Sequence, residues 1–170
     1  LFVLEILKRF KIKRNLLLKT IQKFQGLKFR QQIIFKKENL TIINDSKSTS
    51  FSSSLGLLKK YRNVHWILGG LHKKKDKFIL SKRYFNKINA YIYGNNKIFF
   101  IKKLKGKIKY EIFENLKDAF KKVLKITKKN RLNHQAILFS PSAASFDTFK
   151  NFEDRGIYFN KLVKKYFYGN

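Results

Sequence analysis

The chain has 170 residues, 44% hydrophobic and 16% aromatic, with 40 Lys+Arg against 10 Asp+Glu and a formal charge of +30. This suffices for one ordinary domain with a real core plus a short extra piece, and it is too apolar for a disordered chain despite its charge. The absence of cysteine excludes disulfide frameworks and thiolate metal sites, and no apolar run approaches the roughly 18 residues of a membrane-spanning helix.

The opening LFVLEILKRF is broken by Glu5, Lys8 and Arg9 too early for a signal-peptide core. It starts at Leu1 without methionine, and the expectation is a piece of a longer, cytoplasmic protein. Across residues 1–25, Leu16, Ile21 and Phe24 recur at helical spacing among lysines. Gly26 breaks that pattern, and QGLKFRQQ reads as a turn or linker. IIFKK and ENLTIIND are β-rich runs ending in the polar cluster DSKSTSFSSS, and SSLGLLKKYR is a helix with a serine cap. HWILGG is a short buried strand running into two glycines. NAYIYG is another, followed by NNKIFFIKKLKG as a helical or irregular stretch and KIKYEIF as a strand. ENLKDAFKKVLKIT sets Leu116, Ala119, Phe120, Val123 and Leu124 on one face of an amphipathic helix. QAILFS is the last strand, and TFKNFEDRGIYFNKLVKKY a closing helix. Apolar strands alternating with helices predict an α/β fold, a Rossmann-like, mainly parallel sheet with helices on both faces.

The lysines run almost evenly from LKRFKIKR through KKVLKITKKN to KLVKK. That evenness is the mark of compositional drift at tolerant surface positions, whereas a dedicated nucleic-acid face would cluster its charge. Nucleic acid is therefore not the expected partner, and a basic α/β module binding RNA or an anionic surface stands as the alternative. Under drift the surviving acids are informative. Five of the ten, Asp45, Asp76, Asp147, Glu153 and Asp154, fall in three short stretches. Each stretch follows a predicted strand: TIIN leads into DSKST, WILGG into LHKKKD, and AILFS into PSAASFD. Ligands of open α/β sheets bind outside the carboxyl ends of the strands, so three polar loops are expected to face one crevice.

INDSKSTS at 43–50, LGGLHKKKD at 68–76 and LFSPSAASFDTFKNFEDRGIYF at 138–159 resemble, in order and spacing, three signatures of the Mur ligase C-terminal domain. The longest is the one found in the D-glutamate-adding members, and GLKFR at 26–30 resembles the family's segment joining central and C-terminal domains. The resemblance covers about residues 15–165, with departures at Ser48, Ser50, Lys74 and Ser142. A glycine at position 74 would allow close backbone approach, which makes Lys74 the departure of most concern. A sister ligase adding a different amino acid is a second alternative.

The resemblance implies ATP-dependent peptide-bond synthesis: the carboxylate of UDP-N-acetylmuramoyl-L-alanine is phosphorylated, the amine of D-glutamate attacks, and phosphate leaves. Such catalysis is mostly positioning and charge stabilisation around phosphates and Mg2+. D-glutamate brings two carboxylates, so its pocket needs cations and donors. Lys73 would supply a charge, Thr49 a hydroxyl, and Ser145 with the Phe146 amide a carboxylate seat at a helix entry. Phe152 would close over the ligand's methylenes. Asp45 would reach the nucleotide's ribose, Lys47 its phosphates, and Arg30 the nucleotide on domain closure. The implied division is 1–25 as the last helical segment of the central ATPase domain, 26–31 as interdomain hinge, and 32–170 as the amino-acid-binding domain. The eight glycines form no G-x-x-x-x-G-K-[ST] loop. ATP and Mg2+ are therefore expected to be held mainly by missing domains, with no metal ligand or catalytic residue assigned here and no turnover by the 170 residues alone.

Taken singly, these residues have plainer readings. Lys73 reads as one solvated lysine, DSKST as a helix-capping loop, and Phe149 as core. Asp147 or Ser145 reads as the cap of the last helix, and Glu153 with Arg155 as a local ion pair. His65, His72 and His134 lack metal-ligand spacing and read as structural or surface residues.

Overall fold

The computed structural model describes residues 2–24, 26–129 and 134–169, so the expected division points at 1, 25 and 170 lie outside the described residues. The N-terminal helical segment is two helices, α1 (Phe2–Arg9) and α2 (Arg14–Lys23). They are separated where Lys11 takes a left-handed φ of 53°. No residue of α2 is buried, and Leu16, Ile21 and Phe24 stay 60%, 53% and 66% exposed.

Six strands form one sheet in the order β1-β2-β6-β3-β4-β5, where β1 is Gln32–Lys37, β2 Leu40–Asn44, β3 Asn63–Gly69, β4 Ile88–Tyr93, β5 Lys109–Phe113 and β6 Gln135–Phe139. β1 pairs antiparallel to β2, and every other pairing is parallel. Of the helices, α3 (Phe51–Lys60) and α4 (Lys97–Leu104) cover one face, and α5 (Leu116–Lys129) and α6 (Phe152–Phe167) the other. Strand residues alternate between the two cores as the pleat demands: Ile43, Trp66 and Leu138 face α3, while Ile42, Ile67 and Ile137 face α5 and α6. The five apolar residues predicted for the face of α5 are all buried. Residues 78–87, on which the periodicity is silent, bring Phe78 and Leu80 into the α3-side core and end in a short 3-10 helix over Lys82–Lys87.

The crossover order sets the site. Chain direction runs outward from β3 through β4 to β5, then returns to insert β6 between β2 and β3. The loop after β6 leads to α6 on one face, and the loops after β2 and β3 lead to elements on the other. That reversal at β6 leaves a crevice at the carboxyl ends of the strands.

His65, on β3, is a satisfied core histidine: its ring nitrogens lie 3.0 Å from the Tyr91 hydroxyl and 3.1 Å from Gln135 Oε1. Burial holds its pKa below the ordinary 6.5, opposed by the Gln135 hydrogen bond. Below that value the unfolded chain takes up a proton that the folded chain declines, so this contribution to stability is present above about pH 6.5 and lost as pH falls. Asp45 and Asp147 act oppositely at lower pH: burial raises both, and protonation there favours the folded state. The expected result is a urea midpoint that drops from about pH 7.5 to about pH 5.5, with a visibly flatter slope for His65→Gln. Equal slopes in the two proteins would remove His65 as the cause.

Candidate functional site

The loop after β2 begins at Asp45, whose amide donates to the Phe139 carbonyl on β6 at 2.7 Å. Its carboxylate is buried and bound twice. Oδ1 accepts from the Gln31 amide at 3.0 Å, and Oδ2 from the Ser140 hydroxyl at 2.7 Å. Burial raises the Asp45 pKa, and the Ser140 hydroxyl, the Gln31 amide and the Arg30 charge pull it back down. Lys47 reaches over the Phe152 ring, with Nζ 3.5 Å from the centroid, a cation–π contact that fixes both side chains. Arg30, Asp45 and Lys47 line one cleft of about 310 Å3 with Gln31, Ser48 and Ser53. This brings together the three side chains expected at the nucleotide. The remaining lone pairs of Asp45, and two cations at the rim, suit a hydroxylated, anionic group.

The predicted linker is pinned to the body at this point. Phe29 is buried, with a left-handed φ of 61°, and a Cβ on Gly156 would run into its ring. Glycine at 156 is what lets α6 approach the linker.

The loop after β3 meets the loop after β6 directly. Leu71 and Ala144 exchange backbone hydrogen bonds of 2.9 Å in each direction, an isolated antiparallel bridge. Lys73 follows two residues after one partner and Ser145 one residue after the other. The same β3 loop returns to α3 through Asp76, whose Oδ2 accepts from the Phe51 amide at 2.8 Å, two residues beyond Thr49. Thr49 is half-buried, Ser145 is 2% exposed, and neither hydroxyl has a hydrogen-bond partner among the described residues. Lys73 is exposed and has no ion-pair partner among the described residues. Phe146 is 71% exposed, and Phe152 is half-buried under Lys47. The backbone therefore carries the three loops to one rim. No described cavity is lined by Lys73 and Ser145 together.

Two plain readings of the sequence are corrected. α6 is capped by Asn151, whose side chain accepts from the Asp154 amide at 2.7 Å, so neither Asp147 nor Ser145 caps it. Arg155 makes no pair with the exposed Glu153. It is fully buried and donates from Nε to Ser46 Oγ at 3.1 Å and from Nη2 to the carbonyls of Ser46 and Ala143 at 2.8 and 2.9 Å. Phe149 keeps its core reading, packed half-buried against Tyr158.

The sequence reading also missed a buried chain of hydroxyls. Ser54 on α3 sits 2.7 Å from Ser48, 2.7 Å from Ser140 and 2.6 Å from Ser142, and Ser140 passes the chain to Asp45. Two of the four departures from the family pattern, Ser48 and Ser142, thus meet at one hydroxyl. Lys74 is exposed and is not among the residues with positive φ, so its backbone does not require glycine conformationally.

A Rossmann-like α/β domain carrying three motif-bearing loops at one rim of its sheet belongs to the class that ends a Mur ligase. Comparison with known proteins agrees. The chain is 39% identical over 151 residues to a UDP-N-acetylmuramoylalanine--D-glutamate ligase of Rickettsia prowazekii, covering 88% of this chain and 34% of that protein. It is 34% identical over 160 residues to the protein of that name from Wolbachia sp. subsp. Brugia malayi, covering 94% and 32%. The counterpart from Francisella philomiragia is 33% identical over 165 residues, covering 95% and 39%. No family model matches the chain. The chain belongs to the Mur ligase family, and it spans about a third of the length of these relatives, their C-terminal part.

Exposed lysines lie on α3 and α4 over one face, at Lys59, Lys60 and Lys102, and equally on α5 and α6 over the other, at Lys117, Lys121, Lys125, Lys161 and Lys164. The charge is a shell around the domain, which disfavours the reading as a single basic nucleic-acid face. Among the described residues no three His, Asp or Glu side chains converge as a metal site. No helix among the described residues is long and apolar enough to cross a membrane.

Proposed function

We propose that this chain is the D-glutamate-binding part of an ATP-dependent ligase that joins D-glutamate to UDP-N-acetylmuramoyl-L-alanine in peptidoglycan precursor synthesis. Residues 32–170 are the amino-acid-binding domain, 26–31 the hinge, and 1–25 the end of a preceding ATP-binding domain whose surface covers the exposed Leu16, Ile21 and Phe24. ATP and Mg2+ are held mainly by that domain, and such a reaction runs in the cytoplasm. Lys73 and Thr49 take one end of D-glutamate, Ser145 and the Phe146 amide the other, and Phe152 covers the methylenes between. Arg30, Asp45 and Lys47 close on the nucleotide.

The observation that supports this most is the Leu71–Ala144 bridge, which sets a free lysine and a free serine on adjoining loops. A dicarboxylate is the ligand with an anionic group for each. The test is a titration of the 15N-labelled chain with D-glutamate. Amide shifts are expected at Thr49, Lys73, Ser145, Phe146 and Phe152, with affinity lowered about tenfold or more in Lys73→Ala by loss of a charge-assisted contact. Equal binding of L-glutamate, or no shifts at these five, would overturn the assignment.

A further inference from the structure

Arg155 lies behind the rim rather than on it, and nothing in the proposed binding of glutamate or nucleotide uses it. It is among the largest fully buried side chains, and among the described residues no salt bridge within 4.0 Å holds it, although Tyr93 and the Asp147 carboxylate lie close enough to favour its charge. A buried guanidinium costs free energy unless its donors are used, so where those donors go tells what the residue is for. Nε and Nη2 go to the Ser46 hydroxyl and carbonyl, on the loop after β2. Nη2 goes also to the Ala143 carbonyl, on the loop after β6. Nη1 is buried without a partner, and it faces the loop after β3: a Cβ on Gly70 would come within 3.1 Å of it. A single planar group therefore hydrogen-bonds two loops of the rim and lies beside the third. Ser46 stands between Asp45 and Lys47, Ala143 precedes the Leu71–Ala144 bridge, and Gly70 precedes Leu71.

We infer that Arg155 is a positioning residue that locks the nucleotide-side loop to the amino-acid-side loops, so that the two half-sites hold one geometry together. For its ligands this inference rests on the ligase reading; for the coupling it rests on the hydrogen bonds alone. The guanidinium fork is what makes the lock. Lysine keeps the charge, but one ammonium on a flexible stem cannot hold the Ser46 hydroxyl and both carbonyls in one plane. The lock works on loops rather than on the sheet, because Ser46 and Ala143 lie beyond the strand ends.

The experiment is amide hydrogen exchange on the whole 170-residue chain, wild type against Arg155→Lys, with D-glutamate and ADP titrations alongside. The reporters are the Lys47, Ser48, Leu71 and Ala144 amides, which donate to Phe29, Asp45, Ala144 and Leu71 carbonyls respectively. In Arg155→Lys all four are expected to exchange at least about tenfold faster, with strand amides of Trp66 and Leu138 moved less. Weakening for D-glutamate and for ADP is expected in parallel, at about fivefold or more each, because one lock serves both. If Arg155→Lys does not fold, Ser46→Ala removes the Nε contact together with the hydrogen bond from the Ser46 hydroxyl to the Phe152 carbonyl, leaves the Nη2 bonds in place, and is expected to speed the same four amides by a smaller factor. Loosening of one loop alone, unchanged exchange in all four, or equal acceleration of the strand amides would overturn the inference. A wild-type chain that binds no D-glutamate would instead overturn the ligase reading, and the exchange data would still decide the lock.

Discussion

Phe51→Ala is expected to lower the free energy of unfolding by about 3–5 kcal/mol, the range for truncating a buried phenylalanine that leaves a cavity. Phe51 opens α3 with no exposed surface, and its ring centroid lies 5.2 to 6.1 Å from those of Phe78, Phe100, Phe99 and Trp66. These rings belong to α4, β3 and the segment after β3, so the cavity opens where several elements meet and collapse is resisted. Edge-to-face geometry with three of the four neighbours adds to the area term. Against a typical total of about 5–15 kcal/mol, the loss is a large fraction of the stability. Phe51→Leu refills most of the volume and is expected to cost about 1–1.5 kcal/mol. Urea denaturation of the three proteins measures both steps, with unchanged m-values marking a true stability effect. A loss under about 1 kcal/mol for the alanine variant would mean that the four rings close the gap and that Phe51 does not organise this core.

Phe51 also shows where sequence reading stops. In the run DSKSTSFSSS it is one aromatic among hydroxyls, and the local composition says loop. Its burial comes from Trp66, Phe78, Phe99 and Phe100, at separations that no local period encodes. The elements whose signal is local were legible: the strands and the apolar face of α5. α3 was legible as a helix but not its start, which lies at Phe51 with Ser50 as cap, ahead of the run SSLGLLKKYR. The three polar strand ends were legible for the same reason, because each loop immediately follows its strand. Their meeting was only inferable, since β6 lies far along the chain from the β2 and β3 between which it inserts. Arg155 was misread for a related cause. A charged residue in FEDRG suggests exposure and a neighbouring acid, whereas helical geometry turns Arg155 inward beside Gly156 and leaves Glu153 outside. The acids fared better. Two of the five clustered ones, Asp45 and Asp76, each accept a backbone amide at a loop or helix start, a role lysine cannot take because it has no acceptor.

The second large effect is expected from Gly70→Ala, one added methyl at the joint of the rim. Gly70 has φ +125°, a region closed to side-chain-bearing residues except at a cost of about 1–3 kcal/mol. The added carbon would also collide with the Ala144 carbonyl oxygen, the atom that accepts from Leu71, and would sit 3.1 Å from Arg155 Nη1. The oxygen is backbone and the guanidinium is locked, so neither yields without moving a loop. The bridge between Leu71 and Ala144 is the contact with least freedom, and its two hydrogen bonds are expected to break together. Stability should fall by about 2–4 kcal/mol, from strain and two lost backbone bonds. D-glutamate affinity should fall beyond what that unfolding accounts for, since Lys73 and Ser145 no longer share a frame. Gly56→Ala on α3 is the matched control: its Cβ meets nothing within 4 Å, its backbone is helical, and a gain of up to about 1 kcal/mol is expected. Thermal unfolding and a D-glutamate titration of both variants read the two effects separately. Should Gly70→Ala fold and bind as the wild type does, the close approach of these loops would not be what builds the pocket, and the place of Lys73 in it would fall as well.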